Sequence, residues 1–211
     1  MKNLIKGGIE QDGKVLPLVE EFFSIQGEGF HTGKPAYFIR LGGCDIGCKW
    51  CDSPFTWNPD LYPMVSVSEI IENVLKSGTD SVVVTGGEPL MWNLDLLCKE
   101  LKENKITTYL ETSGSYSLSG EWDWICLSPK KNKRPLDEIW PIANELKVII
   151  GEQEDFLWAE ECRKKVEKDC ILYLQPEWRG YKEIIPAIVD YVKRHPWWRI
   201  SLQTHKFMNI P

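Results

Sequence analysis

Short β-rich runs alternate with longer helical patterns along most of the chain, and this alternation limits the fold more than any other feature. Residues 36–41, 81–85, 106–111, 124–128, 145–150, 171–175 and 199–203 read as strands. A helix is expected from Ser66, where Ser66 and Glu69 make a capping box and Gly78 supplies the stop. Another runs from about Asn93, with Leu94, Leu97 and Leu101 on one face. Residues 153–168 and 182–194 complete the set, with Pro186 starting or kinking the last helix. The stretch 129–141, rich in Lys, Pro and Asn, reads as a loop or a short irregular helix. Strands alternating with helices imply a parallel sheet wrapped by helices, either doubly wound or a partial barrel.

Composition narrows the class of protein. The 211 residues carry 25 Lys+Arg against 31 Asp+Glu, a net charge of −6, with 43% hydrophobic and 27% charged residues. Such a chain suits one domain with a single large core. No apolar run approaches the roughly 18 residues that span a bilayer. Residues 1–13 include Lys2, Lys6 and Glu10 and show no apolar signal-peptide core. A cytoplasmic enzyme or binding domain is therefore expected, with no membrane association. The acidic balance argues against nucleic-acid binding through bulk charge.

Polar and glycine-rich segments fall where the strands end, which is where such folds place their chemistry. They are Gly42-Gly43-Cys44, Gly86-Gly87-Glu88, Thr112-Ser113-Gly114, Ser128-Pro129-Lys130, Gln175-Pro176-Glu177 and Thr204-His205-Lys206. Of seven cysteines, Cys98, Cys126, Cys162 and Cys170 are scattered and read as small buried hydrophobes. A disulfide framework is not expected in a chain of this kind. Cys44, Cys48 and Cys51 instead fall within eight residues, on a loop that Gly42, Gly43 and Gly47 allow to bend. A structural zinc site wants four ligands, and His31 is one candidate for completing it. Three thiolates on a four-iron cluster would leave one iron open, which suggests reactivity. After the second strand, Gly86 and Gly87 let the backbone approach a ligand closely, and Glu88 can accept hydrogen bonds from an ammonium.

The spacing Cys44-x3-Cys48-x2-Cys51, followed by Gly86-Gly87-Glu88-Pro89, resembles the radical S-adenosylmethionine (SAM) superfamily. In that superfamily SAM chelates the open iron, and one electron cleaves its sulfonium to a 5'-deoxyadenosyl radical. Three further segments narrow the resemblance: Glu21-Phe-Phe-Ser-Ile-Gln-Gly-Glu-Gly29, Cys51-Asp52-Ser53, and Gln203-Thr-His-Lys-Phe-Met-Asn-Ile-Pro211. Together they resemble the 7-carboxy-7-deazaguanine synthase family of queuosine and deazapurine biosynthesis, from about Glu20 to Pro211. The resemblance implies a single-domain partial (β/α) barrel with a reduced, modified helix set. Residues 20–211 would form this core domain and 1–19 an N-terminal extension.

The resemblance also implies the chemistry and its residues. The reaction converts 6-carboxy-5,6,7,8-tetrahydropterin to 7-carboxy-7-deazaguanine with loss of ammonia, using a 4Fe-4S cluster, SAM and Mg²⁺. A homodimer and a flavodoxin or ferredoxin electron donor are expected. Cys44, Cys48 and Cys51 would hold the cluster, and Ser53 the Mg²⁺. Trp50, Asp52, Gly86, Gly87, Glu88, Gly114, Ser128, Pro129, Lys130, Gln175, Pro176 and Glu177 would contact or border SAM. Ile25, Gln26, Gly27, Arg40, Thr112 and Pro211 would bind the pterin, with Arg40 meeting its carboxylate. His205 lies near these in the sequence without an assigned role, and Trp197-Trp198 reads as a hydrophobic patch for self-association. The alternative is a glycyl-radical-enzyme activase acting on a protein partner.

Overall fold

The computed structural model describes residues 12–211. Strand β1 (Val15–Ile25) pairs antiparallel with both β2 (Pro35–Leu41) and β3 (Met64–Ser66). Then follow α1 (Val67–Ser77), β4 (Ser81–Gly86), α2 (Asp95–Glu103), β5 (Thr107–Thr112) and β6 (Trp124–Leu127). The remainder is β7 (Glu145–Ile150), α3 (Asp155–Arg163), β8 (Ile171–Pro176), α4 (Tyr181–Arg194), β9 (Trp198–Ile200) and α5 (Thr204–Met208). Among the described residues these nine strands form one sheet in the order β3-β1-β2-β4-β5-β6-β7-β8-β9.

From β2 to β9 every neighbouring pair is parallel, and each strand is laid beside the one before it. A doubly wound sheet reverses its strand order part-way. This one does not, which decides for the partial barrel. Among the described residues no α-helix joins β5 to β6 or β6 to β7, so the helix set is reduced.

Alternation along the strands sorts the side chains onto two faces. On the outer face Ile39, Leu41, Val82, Val84, Leu110 and Ile125 pack with Ile70, Val74, Leu97 and Leu101 from α1 and α2. Further along, Leu127, Leu146, Val148, Ile150, Leu172 and Leu174 pack with Trp158, Ala159, Ile184 and Ile188 from α3 and α4. The inner face carries Arg40, Thr85, Glu111, Ser128, Lys147 and Gln175, and these line a cavity. The apolar core thus lies between sheet and helices, leaving the concave side free for polar chemistry.

The helix ends follow their sequence signals. Ser66 Oγ accepts from the Glu69 N–H at 3.2 Å, and Gly78 takes a left-handed φ of 71° while its N–H bonds to Leu75. Pro186 lies inside α4 rather than at its start. Segment 129–141 is irregular, with one 3-10 turn at Trp140–Ile142. The scattered Cys98, Cys126, Cys162 and Cys170 are buried and unpaired. Among the described residues no helix is long and apolar enough to cross a membrane.

Four expectations need correction. Strand β1 begins at Val15, so part of the segment read as an N-terminal extension is sheet, and Leu16 is buried in the core. Helix α3 is shorter than residues 153–168. Strand β9 starts one residue earlier than expected and ends at Ile200; a last backbone bond to β8, Ser201 N–H to Leu174 O at 3.0 Å, precedes the turn into α5. Trp197 and Trp198 make no paired patch, since Trp198 is buried with its Nε1 donating to Glu160 at 2.7 Å.

Candidate active site

One cavity of about 670 Å³ occupies the concave face. That size suits a small-molecule site. Its upper wall is the loop after β2, which carries Cys44, Cys48 and Cys51 as half-buried free thiols. The loop is fixed by backbone bonds: Gly43 N–H to Thr56 O at 2.7 Å, Cys44 N–H to Trp57 O at 3.1 Å and Cys51 N–H to Cys48 O at 3.1 Å. Behind it, Trp92 Nε1 donates to Gly42 O at 2.7 Å. Burial pushes the Cys44 thiol up to about 11 and raises that of Cys48 as well. Among the described residues no three His, Cys, Asp or Glu side chains converge closely enough to hold a single metal ion.

The turn after β4 sits directly against this loop. Glu88 N–H donates to Gly43 O at 2.8 Å, and a Cβ on Gly87 would stand 2.2 Å from that oxygen. Only glycine fits such an approach. Glu88 is almost fully buried and accepts from Thr112 Oγ1 at 2.6 Å, Leu90 N–H at 3.1 Å, Ser113 N–H at 2.7 Å and Ser113 Oγ. Four donors occupy its two oxygens, so Glu88 ties the end of β5 to the turn.

Farther round, Ser128 Oγ lies 2.7 Å from Lys130 Nζ, which also stands 5.5 Å over the Trp50 ring. Burial lowers the pKa of Lys130. Gln175, Pro176 and Glu177 line the same wall, where Glu177 accepts from the N–H groups of Arg179 and Gly180. Gly114 and Pro129 do not line the cavity. Gly114, at φ 72°, faces outward, where a Cβ would lie 2.6 Å from Leu127 Cδ1.

The floor comes from the opposite end of the barrel. Ile25 pairs with Pro35 at the start of β2, so Gln26–Gly29 enters from the amino end of the parallel strands. Gln26 Oε1 accepts from Glu28 N–H at 3.1 Å, and its Nε2 faces Glu111 Oε1 at 3.5 Å. Gly27 lets His205 pack against the backbone, since a Cβ there would meet Nδ1 at 2.3 Å. Burial also lowers the pKa of His205.

Arg40 lines the wall while its Nε pairs with Glu20 Oε1 at 2.6 Å. Ser53 caps a 3-10 turn and also lines the cavity, with its Oγ donating to Asp52 Oδ1 at 3.2 Å. Asp52 reaches α5 through Lys206 at 2.8 Å and Gln203 at 2.9 Å. Burial would raise the Asp52 carboxyl, but these donors outweigh it and hold it at about 2. Pro211 returns to the cavity, its O accepting from Ser24 Oγ at 3.2 Å.

Comparison with known proteins places this geometry. The sequence model described as the Radical SAM superfamily matches residues 38–125. The 7-carboxy-7-deazaguanine synthase of Flavobacterium psychrophilum is 54% identical over 201 residues, covering 95% of both chains. That of Synechocystis is 48% identical, covering 92% of this chain and 93% of the relative. The chain belongs to the 7-carboxy-7-deazaguanine synthase family. The Escherichia coli member is 32% identical over 92% of this chain. A crystal structure of QueE from Escherichia coli superposes with a TM-score of 0.77 at 29% identity, covering 89% of this chain and 93% of that one.

Sequence reasoning did not assign Lys147, Glu111, Gln203 or Lys206 to the site, all of which line it. A signal existed for the first of these. Lys147 lies between Leu146 and Val148 in a run of buried apolar residues, where a lysine with no inward partner would be costly.

Proposed function

We propose that the chain is a radical SAM lyase that converts 6-carboxy-5,6,7,8-tetrahydropterin to 7-carboxy-7-deazaguanine and ammonia. The observation that carries this reading is one cavity bounded above by the three thiols and the Gly86-Gly87-Glu88 turn, and below by Gln26–Gly29. Closed on that side and flanked by Pro211, it suits a small molecule better than the peptide loop an activase must admit.

The residues fit the expected groups. Three half-buried thiols on one loop, not converging on a single ion, suit a cluster larger than one metal atom. Cys44, Cys48 and Cys51 would hold it, leaving one iron to SAM. When bound, cluster and SAM supply a radical that removes a hydrogen atom from the substrate. The chain's own part is to bind and orient. Gly86 and Gly87 keep the turn thin, Glu88 braces it, and Trp50, Asp52, Ser128, Lys130, Gln175, Pro176 and Glu177 border SAM. Gly114 and Pro129 support those segments from behind. Ile25, Gln26, Gly27, Thr112 and Pro211 surround the pterin, and the Arg40 guanidinium meets its carboxylate. Ser53 would hold Mg²⁺, which commonly keeps waters and takes few protein groups. Assembly as a homodimer and reduction by a flavodoxin or ferredoxin in the cytoplasm complete the reading.

The test is anaerobic: reconstitute the cluster, add SAM, reductant, Mg²⁺ and the carboxytetrahydropterin, and follow products by mass spectrometry. Formation of 7-carboxy-7-deazaguanine is expected. Appearance of 5'-deoxyadenosine alone would keep the radical chemistry and remove the substrate. In the same assay Ser53→Ala should retain SAM cleavage within about 3-fold, lose product formation by roughly 10-fold or more and respond less to Mg²⁺. Equal loss of cleavage and product would give Ser53 a structural role instead.

A further inference from the structure

Lys147 stands on the inner face of β7 and is only 4% exposed. Its Nζ lies 2.6 Å from Glu28 Oε2 and 2.9 Å from Glu111 Oε2. Glu28 comes from the floor loop and Glu111 from β5, so one ammonium joins three separate parts of the barrel. Glu28 also accepts from Gln203 at 2.9 Å and Gln175 at 3.1 Å. The two carboxylate residues in turn hold both ends of the Gln26 amide: Glu28 N–H donates to Oε1, and Glu111 takes Nε2.

Stability alone is a poor reason for this arrangement. Replacing a buried ion pair with apolar groups of similar volume is often neutral or stabilising. Buried charge pairs do, however, fix direction, and here the direction fixed is that of a cavity-lining amide. Other titratable groups face the same ammonium. Cys126 on β6 and Glu145 on β7 lie beyond it, and burial raises both above their usual range. Among the described residues only Glu28 and Glu111 reach the ammonium within ion-pair distance, and they are its direct partners.

We propose that Lys147 is a positioning residue for substrate: by pairing with Glu28 and Glu111 it locks the Gln26 amide, so that the pterin ring is met in one orientation. The inference rests on the pterin reading of the cavity. Burial works against the Glu28 carboxyl, but Lys147 outweighs it and holds the group at about 2. Glu28 therefore stays ionised through the neutral range. Removing the ammonium would raise the Glu28 carboxyl.

The experiment uses the full chain with Lys147→Arg and Lys147→Met. It measures melting, 5'-deoxyadenosine formed without substrate, and equilibrium binding of the carboxytetrahydropterin by tryptophan fluorescence. The Arg variant keeps the charge but replaces a compact ammonium with a planar fork. It should melt near wild type, cleave SAM within about 2-fold and bind the pterin about 10-fold more weakly or worse. The Met variant, which leaves Glu28 and Glu111 without their cation, should bind the pterin at least as weakly as the Arg variant. Wild-type pterin affinity in the Arg variant overturns the proposal, as does loss of fold in both variants, which makes Lys147 a stability element. A wild-type chain that makes 5'-deoxyadenosine but binds no pterin removes the substrate reading and this inference together. Wild-type binding with unaltered variants removes this inference alone.

Discussion

Reconstituted under anaerobic conditions, Cys44→Ala protein should form no 5'-deoxyadenosine above background, a fall of at least about 1,000-fold, or roughly 4 kcal/mol of lost barrier reduction. Three thiolates are the fewest that hold a four-iron cluster with one iron open, and the loop has no fourth to lend. Cys98 and Cys162 cannot stand in, because both are packed in the outer core. The same substitution at those two positions should leave SAM cleavage within about 2-fold and cost on the order of 1 kcal/mol of stability. Iron content and the visible spectrum give a readout independent of turnover. Full SAM cleavage by Cys44→Ala would falsify the cluster assignment.

Gly87→Ala should also cost most of the activity, without removing any ligand. The added methyl would stand 2.2 Å from Gly43 O and 2.9 Å from Cys44 Cβ, and the first of these is backbone. The cysteine loop must therefore move. It is held by Thr56 O, Trp57 O and the Trp92 indole, so the movement strains each of those bonds. Overpacking of this kind costs about 1–3 kcal/mol, or roughly 3–10 °C in Tm for a chain of this size. A displacement of about 1 Å at the reacting groups is worth roughly 100-fold in rate. Product formation should fall by about that factor or more while the protein still folds. Gly151→Ala is the control, since its Cβ would meet nothing nearer than 3.5 Å. A Gly87→Ala enzyme with unchanged rate would mean that the loop yields without consequence for the site.

What the sequence disclosed follows from where each signal comes from. Strand β7 was legible to the residue, because Leu146, Val148, Ile149 and Ile150, interrupted only by Lys147, make the apolar run that a strand of a parallel sheet requires. The caps of α1 were legible because capping is local chemistry. Strand β1 was not: Pro17, Glu20 and Glu21 interrupt its apolar pattern, and its pairing with β2 is irregular between Leu18 and Glu20. Its strand character depends on partners that lie elsewhere in the chain. The cysteine loop and the glycine turn could be read because their spacing is itself the chemistry. Lys147 stood out as a lysine inside an apolar run, but its role could not be read, since its meaning lies in Glu28 and Glu111, which are 119 and 36 residues away.

The barrel is an open ribbon, with β3 at one edge and β9 at the other. The floor loop is pinned to the β9 side by Thr204 N–H to Gly27 O at 2.9 Å, with side-chain support from Ser201, Gln203 and Thr204. Among the described residues that is the sole backbone bond across this seam, whereas every other boundary in the sheet is a strand ladder. Parting the molecule anywhere else tears a ladder. Parting it here unfastens one main-chain link and a few side chains, among them Gln203 and Lys206 on Asp52, through which the thiol loop would feel the opening.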